Sequence, residues 1–94
     1  MEAAANNAFL LISRYTAPIE RIQELIPAHR EYLQEQVARG LIVVSGRRVP
    51  WEGGVIIARG TRTEIDAAVA ADPFTVEGAA ETEIVEFEPL WGSL

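Results

Sequence analysis

The chain has 94 residues, 49% hydrophobic and 23% charged, with a formal net charge of −6 and no cysteine. This is a globular balance, and the length suits a single domain over residues 1–94 with one modest core. The acidic charge disfavours a nucleic-acid backbone or an anionic membrane as partner. The missing thiols exclude disulfides, thiolate catalysis and cysteine-held zinc.

In chain order, the "EAAANN" leader, ending at about residue 6, is expected to fray. The stretch "MEAAANNAFLLIS" has no basic n-region, and its apolar run is short, so it does not read as a signal peptide. No stretch approaches the ~20 apolar residues that span a bilayer. A small domain without disulfides suits a reducing compartment, so a cytoplasmic protein is expected.

Residues 8–15, "AFLLISRY", predict a strand. Residues 18–39 predict a helix, with a kink or restart expected at Pro27, because proline removes a hydrogen bond inside a helix. Gly40 releases the chain into a second strand, "LIVVSG", at 41–46. "RRVPWEGG" predicts a hairpin loop, and "VIIAR", 55–59, a third strand. A second helix follows in "TRTEIDAAVAA", where Thr61 and Glu64 have the spacing of a capping box. "ETEIVEFEP", 81–89, predicts the last strand.

The order is βαββαβ. Right-handed crossovers in its two β-α-β units give an α+β, ferredoxin-like sandwich: a four-stranded antiparallel sheet with both helices on one face. A sheet covered on one face should alternate apolar and polar residues. Phe9–Ile12, Leu41–Val44 and Val55–Ala58 do not alternate. Both faces ask to be dry, so a homodimer packed sheet to sheet through the open face is predicted. The alternative cover is the tail "EPLWGSL", which is short for a sheet whose strands lie about 4.8 Å apart.

His29, in "IPAHREYL", is the only histidine. At about 100° per residue, Ile19, Ile22, Ile26, Leu33 and Val37 share an arc of about 60°, with His29 at its edge beside Ile22. The imidazole therefore faces the sheet. Taken alone, this favours a packed, hydrogen-bonded histidine. The rival reading is a general acid or base, for which imidazole is the best-suited side chain at neutral pH. No metal is expected, since one histidine without cysteine would need carboxylates at a ligand spacing that is not present. Asp72, in "ADPF", stands at the C-terminal end of the second helix, where a negative charge is disfavoured. It is either a partner for the imidazole or an N-cap for a short turn starting at Pro73.

The combination of "PAHREYL", "GLIVVSG", "GGVIIARG", "ADPFTVEG" and "IVEFEP", spread from Phe9 to Pro89, resembles the YCII-related proteins, small domains of the dimeric α/β-barrel class. The resemblance implies a His–Asp pair in a cleft between helix and sheet, with His29 and Asp72 in those positions. Asp72 would hold the imidazole in one tautomer and raise its basicity. It also implies acid/base chemistry on a small cyclic or aromatic substrate, of lyase or isomerase type, since a dehydrochlorinase is among the relatives. One departure stands out. Relatives often continue the second strand as Ser/Ala-Gly-Pro, whereas this chain reads "SGRRVP". Arg47 and Arg48 thus bring two positive charges to the loop, either to attract an anionic substrate or as a soluble hairpin tip. Ser45 and Tyr15, at strand ends, are candidate substrate hydrogen-bonders, and Trp51 a lid or dimer contact. No organic cofactor is expected, because the glycines at 53 and 54 end a hairpin and do not open a helix. The alternatives to an enzyme are a non-catalytic dimeric module that binds a small molecule or serves a larger enzyme, and a purely structural interaction domain.

Overall fold

The computed structural model describes residues 7–93; the expected frayed leader, 1–6, lies outside the described residues. The elements are β1 (Ala8–Tyr15), α1 (Ile19–Ala38), β2 (Ile42–Arg47), β3 (Gly54–Arg59), α2 (Arg62–Ala71), α3 (Pro73–Val76) and β4 (Ala80–Phe87). The four strands form one sheet in the order β2-β3-β1-β4, and every neighbouring pair is antiparallel. This is the ferredoxin-like arrangement expected from the element order, with one short helix added.

Local chemistry accounts for the helix ends. The α1 helix closes on Gly40, whose φ of +79° a residue with a Cβ rarely adopts. The Gly40 N–H donates to the Val37 carbonyl and the Leu41 N–H to the Gln36 carbonyl, a Schellman closure that turns the chain into β2. At the start of α2 the Thr61 hydroxyl accepts from the Glu64 N–H at 3.2 Å, and the Glu64 carboxylate accepts from the Thr61 N–H at 2.9 Å. The α1 helix is continuous through Pro27, so it does not restart there. Pro27 and Gln23 both lie on the exposed face, so the carbonyl that proline leaves without its helical partner is open to water.

The pleat sorts the strands into two faces. Leu11 stands opposite Ile56 and Ile84 on the helix side, while Leu10 stands opposite Ile57 and Val85 on the other. Under the helices lie two clusters. One joins Phe9, Leu11, Leu41, Ala58, Ile65 and Ala68. The other joins Ile22, Phe74, Ala79 and Ala80, with Tyr15, Ile26 and Trp51 packed against it. The expected apolar stripe of α1 holds at Ile22, which is fully buried, and fails at its ends: Ile19 is 38% and Val37 51% exposed, and Gln36 takes the buried place instead. In the last turn the buried side of the helix therefore runs through Gln36 and not through Val37.

Among the described residues no helix covers the second sheet face. Val44 is 53% exposed, and Val85 and Phe87 are also exposed. The tail does not fold back over it, since Leu90 and Trp91 are themselves exposed. No helix among the described residues is long and apolar enough to cross a membrane.

Candidate functional site

A cavity of about 200 Å³ opens on the helix side of the sheet, at the seam between the two clusters. Leu11, Ile56 and Val69 wall it from one cluster, and Tyr15, Ile26, Trp51 and Phe74 from the other. His29 lines it from α1 and Asp72 from the α2–α3 junction.

Asp72 is placed by its own backbone. It is the last residue before Pro73, whose ring fixes the first turn of α3. The Asp72 Oδ1 accepts from the Phe74 N–H at 2.9 Å. Its second oxygen, Oδ2, lies 3.4 Å from His29 Nε2, with only 19% of the imidazole and 14% of the carboxylate exposed. That distance is long for a hydrogen bond and short for a charge pair. One carboxylate oxygen of Asp72 thus caps α3, and the other faces the imidazole.

The same turn supplies the imidazole's support. Phe74 is buried and stacks on His29 with centroids 4.0 Å apart and planes 15° from parallel. Tyr32 lies one helical step further along α1, its ring 6.1 Å from the imidazole. Its hydroxyl donates to the Ala68 carbonyl at 2.6 Å, tying α1 to α2. Burial, and then the negative charge of Asp72, push the Tyr32 phenol up to about 12, so it stays protonated and serves as a donor.

On the opposite wall the β2–β3 hairpin is pinned to β1. The Tyr15 N–H donates to the Glu52 carbonyl, and the Gly54 N–H donates to the Ser13 hydroxyl at 2.9 Å. Gly53 is packed so closely that a Cβ would collide with the Ser13 carbonyl. This pinning holds Trp51 edge-on to Tyr15, with its indole N–H donating to the Tyr15 hydroxyl at 2.7 Å. Trp51 is a wall of the cavity. Arg47 lies over the Trp51 ring, 4.0 Å from its centre.

His29, Asp72, Tyr15, Ser45 and Arg47 thus all border one cavity. Arg48 does not. Arg48, the first residue beyond β2, lies with Ile12, Arg14 and Glu83 around a groove on the uncovered side. Phe74, Tyr32, Ser13 and Arg30 were not identified as site residues from sequence. For Tyr32 a signal existed, because positions 29 and 32 share a helix face. For Phe74 it lay in the Asp-Pro turn, which fixes where the next residue but one must point. Among the described residues no group of three or more histidines and carboxylates is gathered to hold a metal ion.

The fold is shared with a solved protein, 5-chloro-2-hydroxyhydroquinone dehydrochlorinase from Burkholderia phenoliruptrix AC1100, whose structure is a complex with 2,5-dihydroxybenzoquinone. The two superpose with a TM-score of 0.73 over 86% of this chain and 93% of that one, at 22% sequence identity. No curated protein matches the sequence. The profile of the YCII-related domain matches residues 7–88. It takes in the whole sheet and every residue of the cavity wall, and the chain therefore belongs to the YCII-related domain family.

Proposed function

We propose that the chain works as one domain, residues 1–94, and as a small homodimeric enzyme that moves a proton on a small cyclic or aromatic substrate. His29 is the acid/base and Asp72 its orienting partner. The observation that carries this reading is the placement of His29 Nε2 3.4 Å from Asp72 Oδ2 on the wall of a cavity with an aromatic lining. With Nε2 turned to the carboxylate, Nδ1 is the nitrogen that meets substrate. Asp72 is itself fixed by the Phe74 N–H, and Phe74 supports the ring, so the imidazole is held in one orientation before substrate arrives. Tyr15, Ser45 and Arg47 supply polar contacts to the substrate.

The reaction class is that of a lyase or isomerase. Loss of hydrogen chloride or migration of a double bond needs a proton taken from one atom and returned or released elsewhere, which one imidazole can do. The dehydrochlorinase that shares this fold supports that class by analogy. The uncovered apolar sheet face is the dimer surface, completing a dimeric α/β barrel. An acidic chain without cysteine suits the cytoplasm.

The test is turnover of a panel of hydroxylated and chlorinated quinols and unsaturated lactones. The parent is expected to turn over at least one compound, and His29→Gln to lose that activity while keeping its circular dichroism and melting behaviour. A second reading, a binding module without chemistry, draws on the His29–Asp72 distance, which is longer than a charge-assisted hydrogen bond. Ligand binding that survives His29→Gln, with no turnover by the parent, would establish it.

A further inference from the structure

We infer that Arg47 makes the cavity selective for a small planar carboxylate, with the anion at the hairpin end and the reacting atom at the His29 end. The inference rests on the cavity being a ligand site, as proposed above, and adds the class of ligand.

Three observations carry it. The first is the position of Arg47. It ends β2, opposite Gly54, on the cavity side of the sheet. Its neighbour Arg48 turns to the other face, so the pair is not simply a solvated hairpin tip. The second is how Arg47 is held. Its guanidinium sits 4.0 Å over Trp51, Trp51 is hydrogen-bonded to Tyr15, and Tyr15 packs edge-on to Phe74, the ring beneath His29. A line of aromatic contacts thus joins the cation to the acid/base group. Stacking uses the face of a guanidinium and leaves its N–H donors in the plane. The ion pairs among the described residues do not include Arg47. The third is the balance of charge. On a chain of net charge −6, the cavity is bordered by two arginines, Arg30 and Arg47, and one carboxylate, Asp72, which faces His29.

A carboxylate matches a guanidinium edge with two parallel hydrogen bonds, which a neutral hydroxyl cannot do. The Tyr15 hydroxyl accepts the indole N–H, so its own proton is available as a further donor beside the anion. The aromatic walls favour a flat body for the remainder of the ligand.

The experiment is calorimetric titration of the parent, Arg47→Gln and Arg48→Gln with 4-hydroxybenzoate and with hydroquinone, which have the same ring and differ in the carboxylate. The parent should bind 4-hydroxybenzoate about tenfold more tightly than hydroquinone or better, the scale of charge-assisted hydrogen bonds. Arg47→Gln should erase that preference by weakening only the anion. Arg48→Gln should leave it intact. Rising salt should weaken the anion alone, since Arg47 is exposed. Equal affinity of the parent for the two probes overturns the inference, as does binding of neither at millimolar concentration. Equal losses in Arg47→Gln and Arg48→Gln would show a net-charge effect and also overturn it. Its fate is separable from that of the acid/base reading. Arg47-dependent anion binding without any turnover retains the inference and removes the enzyme. Turnover indifferent to Arg47 does the reverse.

Discussion

Asp72 shows how much one side chain can hold together. Its Oδ1 starts α3 and its Oδ2 faces the imidazole, so the turn that presents Phe74 beneath His29 also aims the carboxylate. Asp72→Asn separates the two tasks. The amide oxygen can still cap α3, while the amide N–H meets Nε2 and favours the opposite tautomer. The expected result is a fall in kcat of about a hundredfold or more, the scale of acid/base contributions, with denaturant stability little changed. Parallel rate and unfolding measurements on the variant check it. Tyr32 makes a different prediction. Its phenol is pushed from 10.0 up to about 12 by burial and by Asp72, so the folded state favours the neutral form. The stability from its bond to Ala68 is fully present below pH 10 and is lost as pH rises toward about 12. Melting temperature against pH should therefore fall more steeply through that window in the parent than in Tyr32→Phe.

At the scale of elements, the capping box of α2 is the clearest case of sequence dictating structure. Thr61→Ala removes the hydroxyl that accepts from the Glu64 N–H and should cost about 1 kcal/mol of stability, read by denaturant unfolding. The Thr61 N–H and hydroxyl both donate to the Glu64 carboxylate and lower its pKa. A depressed carboxylate stabilises the fold above its ordinary range and loses that effect as pH falls through its folded value. Part of the acid sensitivity of the protein should therefore disappear in Glu64→Gln. The elements also divide the labour of the site. The α1 helix offers the imidazole, the α2–α3 junction offers the carboxylate and the supporting ring, and the pinned hairpin offers the cation. Because the cavity lies at the seam between two clusters, large-to-small changes on either side should loosen it. Phe74→Ala should cost about 3–5 kcal/mol and take the imidazole's support with it.

For the molecule as a whole, the unequal sheet faces are the governing feature. One face is buried under helices, while the other carries Leu10, Ile12, Val55 and Ile57 half-buried, with Val44 and Phe87 exposed beside them. A contiguous apolar surface of this kind favours association in water. A self-complementary contact through a two-fold axis is the closed solution that a single chain type can reach. Sedimentation equilibrium of the parent should give twice the chain mass. Ile57→Glu, which places a charge at the centre of that face, should give a monomer of lower melting temperature. A parent that sediments as a monomer would remove the dimer from the functional reading.

The sequence by itself determined the order of the four strands and two long helices and, with right-handed crossovers, the sheet topology, because these depend on local signals: apolar runs of strand length, period-3.6 patterning, a glycine at a helix end, a capping box, and turn residues at hairpins; its spaced motifs carried the resemblance to the family. It also placed His29 on the inward side of α1 and marked Asp72 as an awkward charge at a helix end. Where it went astray, the reason was tertiary. Pro27 leaves α1 unbroken because its side of the helix faces water. Val37 is exposed because the buried side of the last helical turn runs through Gln36. Arg47 and Arg48 look alike in sequence and part company in the fold, where Arg47 ends β2 on the cavity side and Arg48, just beyond the strand, borders the groove on the other face. Only the tertiary structure decided that Asp72 Oδ2 reaches His29 and that Phe74 lies beneath the imidazole. The same holds for Trp51, which bridges Arg47 to Tyr15. Apart from Arg47–Trp51, four positions apart in one hairpin, each of these contacts joins residues more than 30 positions apart. Periodicity within one element records which way a side chain points, and packing between elements decides what it meets there.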